Sequence, residues 1–212
     1  MIKIIDNFLT KSYHGDILKH LTGSNFEWSM YNSDTDSFFG PSSPIQKDHS
    51  NYTGYKTYGF KHHFWNKERG GVSRLSAFIN PLFLHIQDVA NCDFIIRARA
   101  DMITYSGKKE FSVQGTHIDF PFPNVAAVFY VNESDGDTIL YNVKLSELPK
   151  GKTHKDLKKY DRVSPKPNRL VLFDGDSYHT GYSPTKHKNR ILINSNYIKK
   201  EYKEEFDSYL GT

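Results

Sequence analysis

Between residues 93 and 197 the chain is written mostly in strands, and this constrains its fold more than any other feature. Residues 94–105 form a long run rich in β-branched and aromatic side chains. Shorter runs follow at 116–120, 125–131, 138–143, 170–173 and 190–197, separated by Pro, Gly, Asn and Asp turn signals. The stretch before them reads differently. Residues 2–5 suit a short strand, and Thr10 is placed to cap a helix carrying Tyr13, Ile17, Leu18 and Leu21 at helical spacing. A second helical region covers about 72–90, where Pro81 after Asn80 marks either a kink or a fresh start. Helices first and antiparallel strands afterwards predict a barrel or jelly roll with flanking helices.

Three segments stand apart. Residues 30–58 crowd Asn, Ser, Asp, Gly and Pro around Phe38, Phe39, Tyr52 and Tyr55; with Trp65 they suit a lid over a site or an ordered surface loop. Residues 144–168 are rich in Lys and Pro and read as a surface insertion, and 201–210 as a short exposed helix. At 212 residues the chain suits one domain. Cys92 is the sole cysteine, which excludes an intrachain disulfide framework and fits a reducing, cytoplasmic setting. A net charge of +4, spread along the chain, gives no strong nucleic-acid signal. No apolar stretch approaches the roughly 20 residues that span a bilayer, so no membrane partner is expected.

The ten histidines invite a metal reading. A His-X-Asp triplet occurs three times, at His14-Gly15-Asp16, His117-Ile118-Asp119 and His154-Lys155-Asp156, so the triplet alone decides nothing. Residues two apart share one side of a strand but lie roughly 200° apart around a helix. His14 and Asp16 fall in the first helix and cannot converge, while His154 and Asp156 lie in a solvated charge run. Only His117 and Asp119, in a strand-like segment, project an imidazole and a carboxylate onto one face. His179 follows 62 residues later, beside the apolar run 170–173, where a barrel wall brings it opposite His117. Two imidazoles and one carboxylate on one face of an octahedron leave three positions open, as in non-haem Fe(II) oxygenases. Zinc is the competing metal, although His-Glu-X-X-His is absent. Arg190 opens a largely apolar strand 11 residues beyond His179, a costly place for a cation unless an anion meets it.

The ordered set His117-X-Asp119, His179 and Arg190 resembles the iron(II)- and 2-oxoglutarate-dependent dioxygenases, in their prolyl 4-hydroxylase-like branch. Asp6-Asn7-Phe8-Leu9, the stretch from Arg99 to Tyr105-Ser106-Gly107, Val128-Phe129-Tyr130-Val131-Asn132 and the run from Pro165 to Phe173 resemble further family segments, so the likeness spans nearly the whole chain. Two departures stand out. Asp135-Gly136-Asp137 replaces a frequent Gly-Gly, and Leu192 stands where many members carry Ser or Thr.

The resemblance implies a mainly β fold with flanking helices around a double-stranded β-helix (jelly-roll, cupin-like) core. It implies a single domain over 1–212, with 1–92 as helical and lid region and 93–200 as core. It further implies a dioxygenase that hydroxylates a substrate C–H bond while 2-oxoglutarate and O2 become succinate and CO2. His117, Asp119 and His179 would hold Fe(II), and Arg190, Tyr130 and Tyr105 would bind 2-oxoglutarate, with no catalytic residue beyond the ligands. Related halogenases lack the carboxylate, so Asp119 favours hydroxylation. The substrate class stays open between a peptidyl residue and a small molecule.

Strand parity adds one expectation. If Arg190 points inward, so do Leu192, Asn194 and Asn196, and either Asn would contact substrate or cosubstrate unless a bulge turns it to solvent. Two other readings remain: a cupin-type metal dioxygenase without 2-oxoglutarate, which needs no Arg190 clamp, and a catalytically silent jelly-roll binding protein.

Overall fold

A computed structural model describes residues 2–32, 58–66, 70–105, 107, 116–147, 157 and 160–210. Its strands are β1 (Ile2–Ile5), β2 (Ser29–Asn32), β3 (Tyr58–Asn66), β4 (Gly70–Gly71), β5 (Phe94–Thr104), β6 (Val125–Tyr130), β7 (Thr138–Lys144), β8 (Tyr160–Val163), β9 (Arg169–Asp174), β10 (Ser177–Gly181) and β11 (Asn189–Ile198). Its α-helices are α1 (Lys11–Thr22), α2 (Ser76–Ala90) and α3 (Lys203–Leu210). The large sheet runs β1-β9-β6-β11-β5-β3-β2 with β4 beside β3, and a small sheet runs β10-β7-β8; every pairing is antiparallel.

The two faces of the large sheet bury different surfaces. Ala98, Ala100, Phe129, Leu172, Ile191 and Ile193 face α1 and α2, meeting Ile17, Leu21, Ile79, Leu82 and Ile86 in one core. Ile103, Val128, Tyr130, Val171 and Leu192 face the small sheet, meeting Leu140 and Val163 in a second. The side-chain alternation along β5 and β11 therefore separates a helix-covered face from a sheet-covered one. The expected jelly-roll core with flanking helices is the observed architecture.

Several elements depart from expectation. Helix α2 runs unbroken through Pro81, so Asn80 does not start a new helix. Residues 1–92, expected as helix and lid, also contribute β1, β2 and β3 to the large sheet. Strand β3 escaped notice because a bulge between His63 and Trp65 breaks the two-residue period, sending both Phe64 and Trp65 to the helix side. Trp65 thus packs into the helical core instead of forming part of a lid. Of the expected lid at 30–58, residues 33–57 lie outside the described residues; its ends meet, Asn32 pairing with Tyr58. Strand β8 falls inside the expected insertion at 144–168 and completes the small sheet through β7. The predicted strand at 116–120 contracts to a single bridge at His117, because Pro121 and Pro123 remove ladder donors just beyond it.

The N-terminal Asp6-Asn7-Phe8-Leu9 segment is clipped to the turn before β9. Asn168, at φ 62°, accepts from the Leu9 N–H and donates to the Leu9 carbonyl, each at 2.8 Å, while Asp6 pairs with Arg169 and Lys166. Asn168→Ala is expected to cost about 2–4 kcal/mol in urea unfolding, from two buried hydrogen bonds and a left-handed backbone. Asn168→Gly, which relieves only the backbone, should recover about 1 kcal/mol of that loss.

Candidate metal centre

The backbone brings the two imidazoles together first. The His117 N–H donates to the His179 carbonyl at 2.9 Å and the His179 N–H returns the bond at 2.8 Å, making the two residues a hydrogen-bonded cross-strand pair. Two residues on, the Asp119 N–H donates to the Gly175 carbonyl at 2.8 Å in the β9–β10 turn. One ligand atom from each of His117, Asp119 and His179 then lies within 4.8 Å of the others. That donor set and spacing fit a divalent first-row metal with open positions. His179 is oriented further by its own Nδ1, 3.0 Å from the Ser177 carbonyl, which leaves Nε2 for the cluster.

Asp119 is fully buried, and its charge is met inside the protein. Arg97 Nη2 donates to Oδ1 at 2.5 Å, and Asn196 Nδ2 donates to Oδ2 at 2.9 Å. Asn196 in turn accepts from Arg97 Nε at 3.1 Å and donates to Asn124 Oδ1 at 3.1 Å. Burial alone would raise the Asp119 pKa; Arg97, followed by His179 and His117, holds it well below the usual carboxylate range. Arg97 also sits 5.0 Å over the Phe120 ring. Gly175 permits this arrangement, since a Cβ there would come within 2.0 Å of Asn124 Oδ1.

The residues after Asp119 secure the loop. Phe120 and Phe122 bury against Ile96, Ile198 and Phe206, with edge contacts to Tyr209 from α3. The C-terminal helix therefore anchors the segment that carries Asp119.

A second polar cluster lies farther along β11. Arg190 is 3% exposed, and its Nη2 donates to Thr138 Oγ1 at 2.6 Å. Tyr130 OH and Thr138 Oγ1 lie 2.5 Å apart, and the Arg190 guanidinium stands 5.6 Å from the centre of the Tyr130 ring. Arg190 Nε is buried without a partner, and among the described residues no carboxylate pairs with this cation. A Cβ on Gly181 would stand 2.7 Å from Arg190 Nη1, so the glycine makes room for the guanidinium.

The structure thus gathers His117, Asp119 and His179 into one cluster and Arg190 and Tyr130 into another. Tyr105, one residue past β5, stands 45% exposed instead of among them. Leu192 is buried in the sheet-facing core, and Thr138, from the small sheet, brings a hydroxyl to Arg190. Asn196 does not offer a free contact: both amide hydrogens and its oxygen are spent on Asp119, Asn124 and Arg97. Asn194 keeps a buried oxygen without a partner.

Arg97, Asn124 and Thr138 were missed from sequence. Arg97 carried a readable signal, since Arg97, Arg99 and Asp101 recur at period two in an otherwise apolar strand, as Arg190 does in β11. The remaining described histidines have local roles. His14 reaches the Val131 carbonyl, His85 stacks on Phe8, and His187 meets Asp135. His62 and His63 are strand residues on opposite faces, and His62 spends both ring nitrogens on the Glu27 carbonyl and Ser73. His49 and His154, with Asp156, lie outside the described residues.

No protein-family model and no curated protein matches the chain. Solved structures do. A Trichoplax adhaerens prolyl hydroxylase in complex with a hypoxia inducible factor oxygen degradation domain peptide superposes with TM-score 0.55 at 18% identity, covering 96% of this chain and 86% of that one. An oxidoreductase of the 2OG-Fe(II) oxygenase family from Burkholderia pseudomallei gives TM-score 0.59 at 10% identity, covering 92% and 84%. The epimerase SnoN in complex with Fe3+, α-ketoglutarate and nogalamycin RO gives 0.56 at 10%, covering 93% and 78%. The chain has the fold of these oxygenases.

Removing the partner of a buried charge is costly, so Arg97→Leu is expected to lower stability by about 3–5 kcal/mol at pH 7 in urea unfolding. Because the folded-state pKa of Asp119 is depressed, its stabilisation is complete above the ordinary carboxylate range and drains as pH falls below about 4. The gap between wild type and Arg97→Leu should therefore narrow at pH 3.5.

Proposed function

We propose that the chain is an Fe(II)- and 2-oxoglutarate-dependent dioxygenase that hydroxylates a C–H bond. The observation that carries this reading is Arg190: a buried guanidinium, open at Nε and met by the Thr138 hydroxyl but by no described carboxylate, on the same sheet face that carries the residues holding Asp119. A buried cation of this kind calls for an anion from outside the chain. Neither a cupin-type dioxygenase without 2-oxoglutarate nor a silent binding protein needs that anion.

In this reading His117, Asp119 and His179 would hold the metal through two imidazoles and one carboxylate. Arg97 and Asn196 keep the Asp119 carboxylate ionised and fixed in orientation. Arg190, Thr138 and Tyr130 bind the far carboxylate of 2-oxoglutarate, with Arg190 supplying charge and the two hydroxyls supplying direction. Tyr105 would reach the cosubstrate only by turning inward from its exposed position. When bound, iron and 2-oxoglutarate together supply the oxidation, in which O2 and the cosubstrate yield succinate and CO2 and the substrate gains a hydroxyl.

The substrate is a peptidyl residue or a small molecule; the fold accommodates both kinds, with a peptide on the Trichoplax enzyme and nogalamycin RO on SnoN. Among the described residues no helix is long and apolar enough to cross a membrane. The single half-buried Cys92, whose thiol burial pushes up to about 11, is in keeping with the cytoplasmic placement proposed for the enzyme.

Anaerobic addition of Fe(II) and 2-oxoglutarate should produce a visible metal-to-ligand charge-transfer band. The band should vanish in His179→Ala. In Arg190→Ala it should require roughly 100-fold more 2-oxoglutarate, the scale of losing a buried charge-assisted pair. A wild type without the band, or a His179→Ala variant that retains it, overturns the reading.

A further inference from the structure

The sheet face that holds Asp119 continues away from the metal cluster as a polar ladder. Antiparallel register sets Asn196 opposite Arg97, Asn194 opposite Arg99 and Leu192 opposite Asp101, all on one face of β11 and β5. The first rung is spent on Asp119. On the next two rungs, two acceptor atoms are left over. Asp101 Oδ1 and Asn194 Oδ1 are both buried without a hydrogen-bond partner, on residues that are 5% and 8% exposed. Asp101 uses its other oxygen to accept from Arg99 Nε at 3.0 Å. As diagonal neighbours on adjacent strands, Asp101 and Asn194 lie within the reach of one small polar group.

Their chemistry selects what can satisfy them. Both atoms accept and neither donates, so the deficit is one of N–H or O–H groups. The cosubstrate of the proposed reaction, with two carboxylates and a keto oxygen, offers acceptors only and cannot fill it. The charge of Asp101 is already met by Arg99, and Lys61 stands opposite Asp101 on β3, with His63 opposite Arg99. A cationic donor would meet Arg99 and Lys61, and an anion would meet the two oxygens.

We propose that Asp101 and Asn194 form the recognition site for an uncharged hydrogen-bond donor of the primary substrate, an amide N–H or a hydroxyl, one to two rungs from Asp119. This assignment rests on the dioxygenase reading for what the bound group undergoes, but not for its binding. It deepens the strand-parity expectation for Asn194 and gives Asp101 a role that sequence alone did not.

The test uses the full chain, 15N-labelled, following the Asn194 side-chain amide by NMR, identified through its loss in Asn194→Asp. Acetamide is the neutral probe, methylammonium the cationic one and acetate the anionic one. Acetamide should shift the Asn194 signal saturably, at least about 10-fold more tightly than either charged probe, as expected where unmet acceptors select the donor. Asp101→Leu should weaken acetamide about 10-fold, whereas Asp101→Asn, which keeps an acceptor oxygen, should stay within about 3-fold of wild type. The absence of a saturable shift in wild type means that the oxygens are served by water alone and overturns the proposal. Tighter methylammonium binding, or equal acetamide binding in Asp101→Leu, overturns it as well. The measurement is made with and without metal. A failed probe beside an intact charge-transfer band therefore counts against this inference only, and a missing band beside acetamide binding counts against the dioxygenase reading.

Discussion

The buried Asp119 carboxylate and its two partners are the interaction on which the site depends. A carboxylate taken out of water is tolerated only when its charge and lone pairs are met. Arg97 and Asn196 do this from two adjacent strands, β5 and β11, whose register sets them opposite each other. The pairing of β5 with β11, the two longest described strands, is thus also what places the Asp119 carboxylate. The His117–His179 backbone pair fixes the other side, and Asn124, seated against Gly175, joins the two.

This arrangement explains why distant parts of the chain serve one small volume. The small sheet carries His179 and brings Thr138 to Arg190. The C-terminal helix contributes no polar group to the cluster, yet Phe206 and Tyr209 clamp Phe120 and Phe122 directly after Asp119. Helices α1 and α2 cover the opposite face of the large sheet, so the site face is left to the strands. A cavity of about 1230 Å3 on that helix side is lined by residues that include Asp16, His20, His62 and Arg74, and none of the triad borders it.

Sequence reading reached the triad because two physical filters act locally: side-chain period on a strand and the cost of a lone cation in an apolar run. Those filters separated His117 and Asp119 from two equally spaced His-X-Asp triplets, and picked out Arg190. They failed where a local rule was broken by distant contacts. The bulge in β3 hid a strand and misplaced Trp65. Asn196 had the right orientation and the wrong partner: parity aimed it inward, but only the fold showed Arg97 and Asp119 waiting for it.

What the sequence determined by itself is the class of fold and the donor types of the candidate site, since strand runs, turn residues and side-chain chemistry are properties of neighbours along the chain. What only the tertiary structure decided is how each buried polar group is satisfied. Arg97 neutralises Asp119, Thr138 meets Arg190, Asn196 is spent and Asn194 is not. Those outcomes depend on register between strands far apart in sequence, where a shift of one residue turns every side chain to the other face.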